Sequence, residues 1–453
     1  MDMKNLFGIF AAVLLCLGCS QASEGVRLDV SVDNPVSDEV VVVCHNDITT
    51  FPLDEAGKAS VVLDVDDVAY FKLFHGRASL LMYVEKGDKA SLTFDGGDIT
   101  GSYVFEGDKA QAVRYLNTVS LVALPDDSYA LPFEEFRSRL AEKEMDAVRL
   151  LEAGGLSSAG DFEEMEKNRI RYAYAAPLMM YPMAHVMMTA DKDYRPGKDY
   201  YDVIESYVKE DPRLACLDEY RAFVAEAMHV LDPSGNEVTA IYPKTVAQMK
   251  YAAGYFRSPE VKEIIIHHIA SAYVDNFGVK DITEMNNIYH TYVKTPALLA
   301  SYAVKQERWD LSRPGKMSPG FVASDVDGGE HRLAEFRGRY VYVDVWATWC
   351  GPCRKEAPYL KALEEEFKDA EIVFLGLSVD RDRKAWETMV RNGELGGIQL
   401  YLGPGSRFQE AYRIEGIPRF ILLDKDGRII SNDMSRPSSP KTAETLKNLE
   451  GIR

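Results

Sequence analysis

The sequence predicts a multidomain protein with a small β-rich domain, a helical middle region and a C-terminal α/β fold in which helices flank a central mixed sheet. The chain has 453 residues, enough for about two to four domains of ordinary size. Up to about residue 108 the hydrophobic residues alternate in short runs, and from there to about residue 312 they recur at helical spacing. From residue 317 onward strand and helix patterns alternate, which is typical of a sheet covered on both faces.

Composition and charge narrow the classes of function. With 46% hydrophobic and 27% charged residues, the chain has the composition of a globular protein rather than a disordered one. The 52 basic and 71 acidic residues give a net charge of −19. Because such a polyanionic surface repels phosphate backbones, we expect no nucleic-acid binding. Six cysteines are too few for a framework of disulfides.

The first residues are typical of an export signal. An apolar run, residues 6–17, follows Lys4 and precedes Gly18-Cys19-Ser20. The run is shorter than the roughly 20 residues that a transmembrane helix needs, so residues 1–18 are interpreted as a signal peptide. Its end resembles a bacterial lipoprotein box, in which the cysteine is diacylated and becomes the new N-terminus.

This resemblance implies a lipid on Cys19, which would anchor the mature protein to a membrane of the cell envelope. The protein would then face the periplasm, and Ser20 slightly favours the outer membrane. An ordinary signal peptide with an incidental cysteine is the alternative interpretation.

Residues 25–108 are predicted to form the small β-rich domain, which we expect to be sandwich-like. Alternating runs such as residues 40–44, 69–74 and 78–84 are separated by segments rich in Gly and Asp, which favour turns. No group of catalytic residue types stands out in this region. Cys44 follows an apolar run and is interpreted as a strand residue.

Residues 109–312 are predicted to be helical. Apolar residues between Phe133 and Leu151 recur at helical spacing, and Gly154-Gly155 ends that helix. A second helix is predicted over residues 162–174. The methionines and His185 of residues 179–188 are soft ligands that suit Cu(I), although methionines that fill a helical core are the favoured interpretation.

Residues 317–453 form the predicted C-terminal domain, after a linker rich in Pro and Gly at residues 313–320. The predicted elements are a strand at 339–346, a helix at 352–367, a strand at 371–379, a helix at 383–392, a strand at 398–402, a helix at 406–412, a hairpin at 419–430 and a helix at 440–449. Strand–helix–strand followed by a hairpin and a helix predicts one sheet with helices on both faces.

The residue types that carry chemistry lie in one strand–turn–helix, where residues 343–358 read VDVWATWCGPCRKEAP. The buried strand places Cys350 in the first turn of a helix. There the unpaired backbone N–H groups and the helix dipole stabilise a thiolate, the nucleophile in disulfide exchange. Cys353 follows one turn later and can attack the same sulfur, while Pro352 suits the first helical turn.

These residues strongly resemble the thioredoxin superfamily, and within it the membrane-tethered TlpA/ResA-type envelope thiol–disulfide oxidoreductases. The sequence WATWCGPC at residues 346–353 carries the resemblance. It implies a thioredoxin-like fold, catalytic Cys350 and Cys353, and a reversible Cys350–Cys353 disulfide. Asp344 matches the buried aspartate of thioredoxin, and Glu356 matches the acidic residue beneath the active site in the envelope branch.

The two acids are expected to titrate as a coupled pair, with at least one pKa raised by burial and like charge. One of them would exchange a proton with Cys353, and the sequence leaves open which one. Gly376 departs from the thioredoxin pattern, because thioredoxin has a lysine near its buried aspartate at this place.

The resemblance also implies a substrate-binding surface. Residues 416–420, GIPRF, resemble the loop whose proline is cis and faces the dithiol. Ile417 and Pro418 would then pair with an extended substrate as an added strand. The implied surface comprises Trp349, Gly351, Pro352, Ile417 and Pro418.

The predicted function is that of a membrane-tethered periplasmic thiol–disulfide oxidoreductase that reduces protein disulfides. Its expected partners are envelope proteins with disulfides and a membrane thiol that donates electrons, and no cofactor or metal is expected. A structural zinc site needs four ligands, and after the expected signal peptide and Cys19 the sequence has one CxxC motif. A peroxiredoxin needs a threonine where Ala347 stands. The main alternative is an envelope binding or assembly lipoprotein whose N-terminal half recognises a partner, with redox chemistry secondary.

Two further cysteines are left without an assigned role. Cys44 and Cys216 could form a structural disulfide in an oxidising compartment, and the sequence does not decide whether they do.

Overall fold

The protein is described from a computed structural model. The structure describes residues 25–452 except 45–46, 66, 157–159, 234–239, 394 and 415, and these form two compact units that divide between Ile265 and Ile266. The expected signal peptide at residues 1–18 and the expected lipidation site Cys19 lie outside the described residues. Among the helices that are described, none has the length and apolar character to span a bilayer.

The first unit begins with two four-stranded sheets, in agreement with the predicted β-rich region. The strands are β1 (Val26–Asp33), β2 (Glu39–Cys44), β3 (Asp47–Pro52), β4 (Lys58–Leu63), β5 (Val68–His75), β6 (Ala78–Glu85), β7 (Lys89–Asp95) and β8 (Val104–Glu106). One sheet has the order β4-β1-β7-β8 and the other β3-β2-β5-β6. Buried side chains of both sheets, such as Val30 and Leu73, belong to one apolar core.

Helices make up most of the chain that follows. They are α1 (Ile99–Ser102), α2 (Ala110–Thr118), α3 (Phe133–Ala153), α4 (Phe162–Thr189), α5 (Lys198–Tyr207), α6 (Asp218–Val230), α7 (Ile241–Tyr255), α8 (Pro259–Phe277), α9 (Thr283–Tyr292) and α10 (Pro296–Asp310). Helix α3 ends at Gly154, as predicted. Helix α4 continues well beyond the predicted residue 174, through Pro177 and Pro182. Leu178 and Tyr181 stay buried there and continue the apolar face of the helix.

The C-terminal region is built on one seven-stranded sheet. Its strands are β9 (Val322–Ser324), β10 (Glu330–Arg332), β11 (Tyr340–Trp346), β12 (Ile372–Ser378), β13 (Ile398–Tyr401), β14 (Arg419–Leu423) and β15 (Ile429–Ser431), in the order β10-β9-β13-β12-β11-β14-β15. Its helices are α11 (Gly351–Glu366), α12 (Arg383–Arg391), α13 (Arg407–Ala411) and α14 (Pro440–Lys447). Strand β11 pairs in parallel with β12 and antiparallel with β14, so the predicted mixed sheet is present.

Burial explains why β11 and β12 lie at the centre of this sheet. All seven residues of each strand are buried, which is the pattern of strands covered on both faces. The two faces form separate apolar cores, one containing Val343 and Trp386 and the other Tyr342 and Leu446. Strand β11 therefore presents its C-terminal end as a rigid support for the residues that follow.

Candidate active site

Cys350 lies where the rigid end of β11 meets the start of α11. The Cys350 N–H donates to the carbonyl of Ala347, 3.1 Å away, which closes the turn after the strand. Cys350 is the N-cap of α11, and its Sγ accepts the N–H of Cys353 at 3.2 Å. Pro352 occupies the first turn of the helix, where a backbone N–H would have no acceptor within the helix, so its missing N–H costs no hydrogen bond. The predicted strand–turn–helix is thus present.

Cys350 and Cys353 are joined by a disulfide, with their Cα atoms 5.3 Å apart. Both cysteines are buried, whereas the neighbouring Trp349 is 70% exposed and Gly351 and Pro352 are exposed. The expected contact residues next to the disulfide therefore form an accessible rim around it.

The loop before β14 lies against the first cysteine. The Ile417–Pro418 peptide bond is cis, as the resemblance implies. The Ile417 carbonyl oxygen is 3.7 Å from the Cys350 Sγ, so this loop borders the sulfur nearest the helix N-terminus. The structure thus brings together the two cysteines and the two predicted loop residues.

Two buried carboxyl groups lie on the strand and the helix that flank the Cys350 turn. Asp344 is on β11 and Glu356 is on α11, one helical turn after Cys353, and both are buried. Burial raises the pKa of Asp344 to about 8, and the negative charge of Glu356 adds to this rise. In the described part of the chain, the Asp344 Oδ1 has no hydrogen-bond partner. The expectation of a raised pKa in this pair is confirmed for Asp344.

Among the described residues, Glu356 has hydrogen-bond donors on both carboxylate oxygens, whereas the Asp344 Oδ1 has none. The Ser438 N–H donates to the Glu356 Oε2 at 2.9 Å, and the Ser438 hydroxyl donates to Oε1 at 3.0 Å. The Arg436 guanidinium is 3.8 Å from the same Oε1. Ser438 and Arg436 lie between β15 and α14, in a segment for which no functional role was predicted from the sequence.

Gly376 lies directly beside Asp344 in the sheet, and Gln399 lies on its other side. The Gln399 Oε1 accepts the Trp346 Nε1–H at 3.1 Å, and its Nε2 donates to the Gly396 carbonyl at 2.6 Å. A Cβ on residue 376 would lie 2.3 Å from the Gln399 Oε1. The side chain of Gln399 therefore covers Gly376.

Asp380 fixes the turn that leads to Cys350, and the sequence analysis missed it. Its carboxylate accepts the Thr348 N–H at 2.9 Å, the Thr348 hydroxyl at 2.7 Å and the Ser378 hydroxyl at 2.8 Å. Its position just after the buried strand β12 was a usable signal, because the ends of adjacent parallel strands meet at one edge of a sheet.

Arg413, four residues before Ile417, connects the same loop to helices α8 and α10. Its guanidinium lies 4.6 Å from the centre of the Trp309 ring and 3.8 Å from the Asp275 carboxylate, and it also donates to the Asp275 carbonyl. The buried Lys305 donates to Asp275 at 3.0 Å. These contacts hold the start of the cis-proline loop against the end of the helical region.

The remaining described cysteines belong to the first unit. Cys44 and Cys216 are free thiols in the structure. Burial raises the pKa of Cys44 to about 11 and that of Cys216 to about 12, so both are poor nucleophiles at neutral pH. The described residues contain no group of three or more His, Cys, Asp or Glu side chains that could hold a metal ion.

Comparisons with known proteins concern the C-terminal region. The Redoxin family model matches residues 313–449. The thiol-disulfide oxidoreductase ResA of Bacillus thuringiensis subsp. konkukian is 29% identical over 152 residues, which cover 34% of this chain and 86% of ResA. A ResA of Geobacillus kaustophilus is 29% identical over 136 residues, which cover 29% of this chain and 78% of that protein.

Solved structures give similar matches. A Bacteroides vulgatus protein of known solution structure is 51% identical, with 32% of this chain and 94% of that chain covered and a TM-score of 0.29. The thioredoxin domain of a Bacteroides vulgatus thiol-disulfide oxidoreductase is 31% identical, with 30% and 96% covered and a TM-score of 0.28. Through its C-terminal region, the chain belongs to the thioredoxin superfamily as a thiol-disulfide oxidoreductase of the TlpA/ResA type.

Proposed function

We propose that the protein reduces disulfides of other proteins in the bacterial cell envelope, through Cys350 and Cys353. A lipid on Cys19 would hold it at a membrane facing the periplasm. The observation that carries the proposal is the Cys350–Cys353 pair at the start of α11, with the Ile417 carbonyl 3.7 Å from the Cys350 Sγ. A client segment that pairs with Ile417 would bring its own disulfide next to Cys350.

The reaction starts from the reduced dithiol. The Cys350 thiolate attacks one sulfur of a client disulfide, the other client sulfur leaves as a thiolate, and a mixed disulfide forms. Cys353 then loses its proton to one of the two buried acids, Asp344 or Glu356, and attacks the Cys350 sulfur. The second client sulfur leaves, so the client gains two electrons and the Cys350–Cys353 disulfide forms. A membrane thiol of the envelope returns the two electrons.

The order of attack follows from the position of each sulfur. Cys350 is the N-cap, next to the exposed Trp349, and helix N–H groups stabilise its thiolate. Cys353 is a buried residue of α11, one helical turn before the buried Glu356. We therefore assign Cys350 as the attacking cysteine and Cys353 as the resolving one.

A trapping experiment with the full chain tests the proposal. Cys353→Ser should accumulate mixed disulfides with envelope proteins, whereas Cys350→Ser should form none and lose the reduction of insulin. Cys216→Ser is the matched control and should behave as the unchanged chain. If Cys353→Ser captures no client from cells, the proposed function is wrong.

The direction of electron flow has its own measurement. The Gly351-Pro352 pair between the cysteines is the pair found in reducing thioredoxins, which favours a reductase. Equilibration with glutathione gives the redox potential of the Cys350–Cys353 couple. A potential more oxidising than about −180 mV, near that of protein disulfide isomerase, would instead indicate an oxidase or isomerase.

We also propose that the β-rich region is a β-sandwich. One observation favours a second role for the N-terminal half, the recognition of a partner. The first unit has a cavity of about 620 Å³ lined by β5, α4 and α6, with Tyr70, Met179 and Phe223 beside Lys72 and Glu226. Ala222→Trp would fill the cavity. Combined with Cys353→Ser, it should change the set of captured clients. In a chain that keeps both Cys350 and Cys353, it should leave the rate of insulin reduction unchanged. An unchanged client set would remove this role.

A further inference from the structure

The residue at the start of the cis-proline loop has a backbone conformation that is uncommon for its type. Helix α13 has Tyr412 as its C-cap, and Arg413 follows with a φ of 49°, in the left-handed region that usually takes glycine. We propose that Arg413 is a positioning residue that ties the loop bearing Ile417 and Pro418 to α8 and α10, so that client affinity depends on these two helices. The inference rests on the proposed function, in which this loop is the client surface.

Hydrogen bonds around Arg413 close the end of α13. The Arg413 N–H donates to the Glu410 carbonyl at 3.0 Å, and the Ile414 N–H donates to the Gln409 carbonyl at 2.9 Å. This pair of bonds is the Schellman motif, in which the left-handed residue is most often glycine because a Cβ is disfavoured there. An arginine at this position therefore lowers stability relative to glycine, a cost that its side-chain contacts offset.

The Arg413 guanidinium makes these contacts with α8 and α10. It lies 4.6 Å from the centre of the Trp309 ring, within the range of a cation–π interaction, and 3.8 Å from the Asp275 carboxylate. Gly278 follows α8 with a φ of 88°, and a Cβ there would lie 3.2 Å from the Trp309 ring, so the ring packs closely against this turn. Lys305 donates to Asp275 at 3.0 Å and fixes that carboxylate. The guanidinium therefore occupies a site built by the two helices.

Arg413 sets the direction in which the chain leaves α13. The preceding Tyr412 is fixed, because it is buried in the same apolar core as Cys350 and its hydroxyl lies 2.7 Å from the Ser318 hydroxyl. Beyond the loop, β14 is fixed by its pairing with β11. The loop between these two points carries the Ile417 carbonyl, 3.7 Å from the Cys350 Sγ. The side-chain contacts of Arg413 therefore influence where Ile417 lies relative to the cysteine.

The position of Ile417 matters more for a protein client than for a small disulfide. A protein client pairs its backbone with Ile417 while its own disulfide meets Cys350. If the loop is loosened, binding must also order it, and this cost weakens the affinity. A small aromatic disulfide such as dithiobis(nitrobenzoic acid) has no peptide backbone to pair with the loop. The loss of the Arg413 contacts should therefore affect the two substrates differently.

The test compares these two substrates in steady-state kinetics of the full chain. Arg413→Gly accepts the same φ but removes the guanidinium, so it separates the side-chain contacts from the backbone turn. The KM for insulin should rise about threefold or more, the effect of losing one such contact. The kcat for insulin should change less, and the reduction of dithiobis(nitrobenzoic acid) should keep its rate.

Two further variants show whether the contact with α10 is the cause. Trp309→Leu should raise the KM for insulin as Arg413→Gly does, and the two substitutions together should do no more than one alone. Arg413→Lys keeps a cation and should recover part of the affinity. Lys425→Ala is the matched control, because it removes a cation that lies 5.5 Å from the Tyr340 ring at the opposite end of β11. It should leave both substrates unaffected.

Two kinetic results would overturn the inference. One is a KM for insulin that stays the same in both Arg413→Gly and Trp309→Leu. The other is an equal loss of rate with insulin and with dithiobis(nitrobenzoic acid), which would indicate damage to the dithiol rather than to the client surface.

Hydrogen exchange of residues 412–420 in the oxidised full chain needs no client and separates the two kinds of failure. Exchange should be faster in Arg413→Gly than in the unaltered chain, because the loop opens more often once its anchor is lost. Unchanged exchange would overturn the inference. If exchange is faster but the unaltered chain reduces no insulin, the proposed function and the client role of the loop are wrong, whereas the anchoring of the loop by Arg413 is confirmed.

Discussion

Asp344 and Gly376 are direct neighbours in the parallel pair β11–β12, so a buried acid lies beside a residue that has no side chain. Gln399 of the next strand fills the space above the glycine and binds Trp346 instead of Asp344. No cation from β12 therefore compensates Asp344. This arrangement explains why burial and Glu356 together raise the pKa of this carboxyl group.

Gly376→Ala should lower the free energy of unfolding by about 1–3 kcal/mol. The new Cβ would lie 2.3 Å from the Gln399 Oε1, so the Gln399 side chain must move and break its hydrogen bond with Trp346. Urea unfolding followed by tryptophan fluorescence measures the loss. In a double-mutant cycle, Gln399→Ala should recover part of it. Strict additivity of the two substitutions would show that this contact is not the cause.

Asp344 should make stability depend on pH. Its pKa is about 8 in the folded chain against 3.8 for the ordinary group, so the folded state binds the extra proton between these values. Stability should therefore fall as the pH rises from about 4 to 8, by about 1.4 kcal/mol per pH unit at most. Asp344→Asn should remove this slope and be the more stable form at pH 9. Urea unfolding at pH 5, 7 and 9 tests this, and equal slopes in both chains would contradict it.

Asp380→Asn should loosen the turn before Cys350. The amide keeps the shape of the buried carboxylate but weakens the acceptance of the Thr348 N–H and hydroxyl. Hydrogen bonds to charged groups contribute about 1.5–3 kcal/mol each, so we expect a loss of about 2 kcal/mol and slower insulin reduction. Asp327→Asn is the control, because the Asp327 side chain is 79% exposed. Equal effects of the two substitutions would rule out the role of Asp380.

Arg413→Ala should destabilise the second unit by about 1–3 kcal/mol. It removes the guanidinium from the Trp309 ring and from Asp275, whose carboxylate keeps its hydrogen bond from the buried Lys305. Urea unfolding followed by tryptophan emission measures the change. Arg149→Ala removes an exposed ion pair within α3 and should cost less than about 0.5 kcal/mol. Similar losses in both variants would mean that the Arg413 contacts contribute little.

Periodicity and turn residues predicted most of the fold. The buried strands β11 and β12 are continuous apolar runs, and the glycines after α3 mark its end. The end of α4 was wrong because Pro177 and Pro182 suggest a break, whereas tertiary packing of the buried Tyr181 continues the helix. Short edge strands such as β8 and β10 have too few residues to show an alternating pattern.

The site was predictable where its residues are close in sequence. Cys350, Cys353 and Glu356 follow one another on a single helix, so the motif alone places them together. Ser438 is 82 residues from Glu356, and Asp380 is 32 residues from Thr348. Residues so far apart in sequence are brought together by the tertiary fold, which a local sequence motif does not predict.

The Arg413 contacts have a consequence for how far the redox unit extends. Asp275 and Trp309 lie upstream of residue 313, where the match to the Redoxin family begins. A fragment that begins at residue 313 would lack Asp275 and Trp309, which contact Arg413 just before the cis-proline loop. The autonomous redox fragment is therefore longer than the region matched by the Redoxin family, and a fusion protein that preserves these contacts must include α8 to α10.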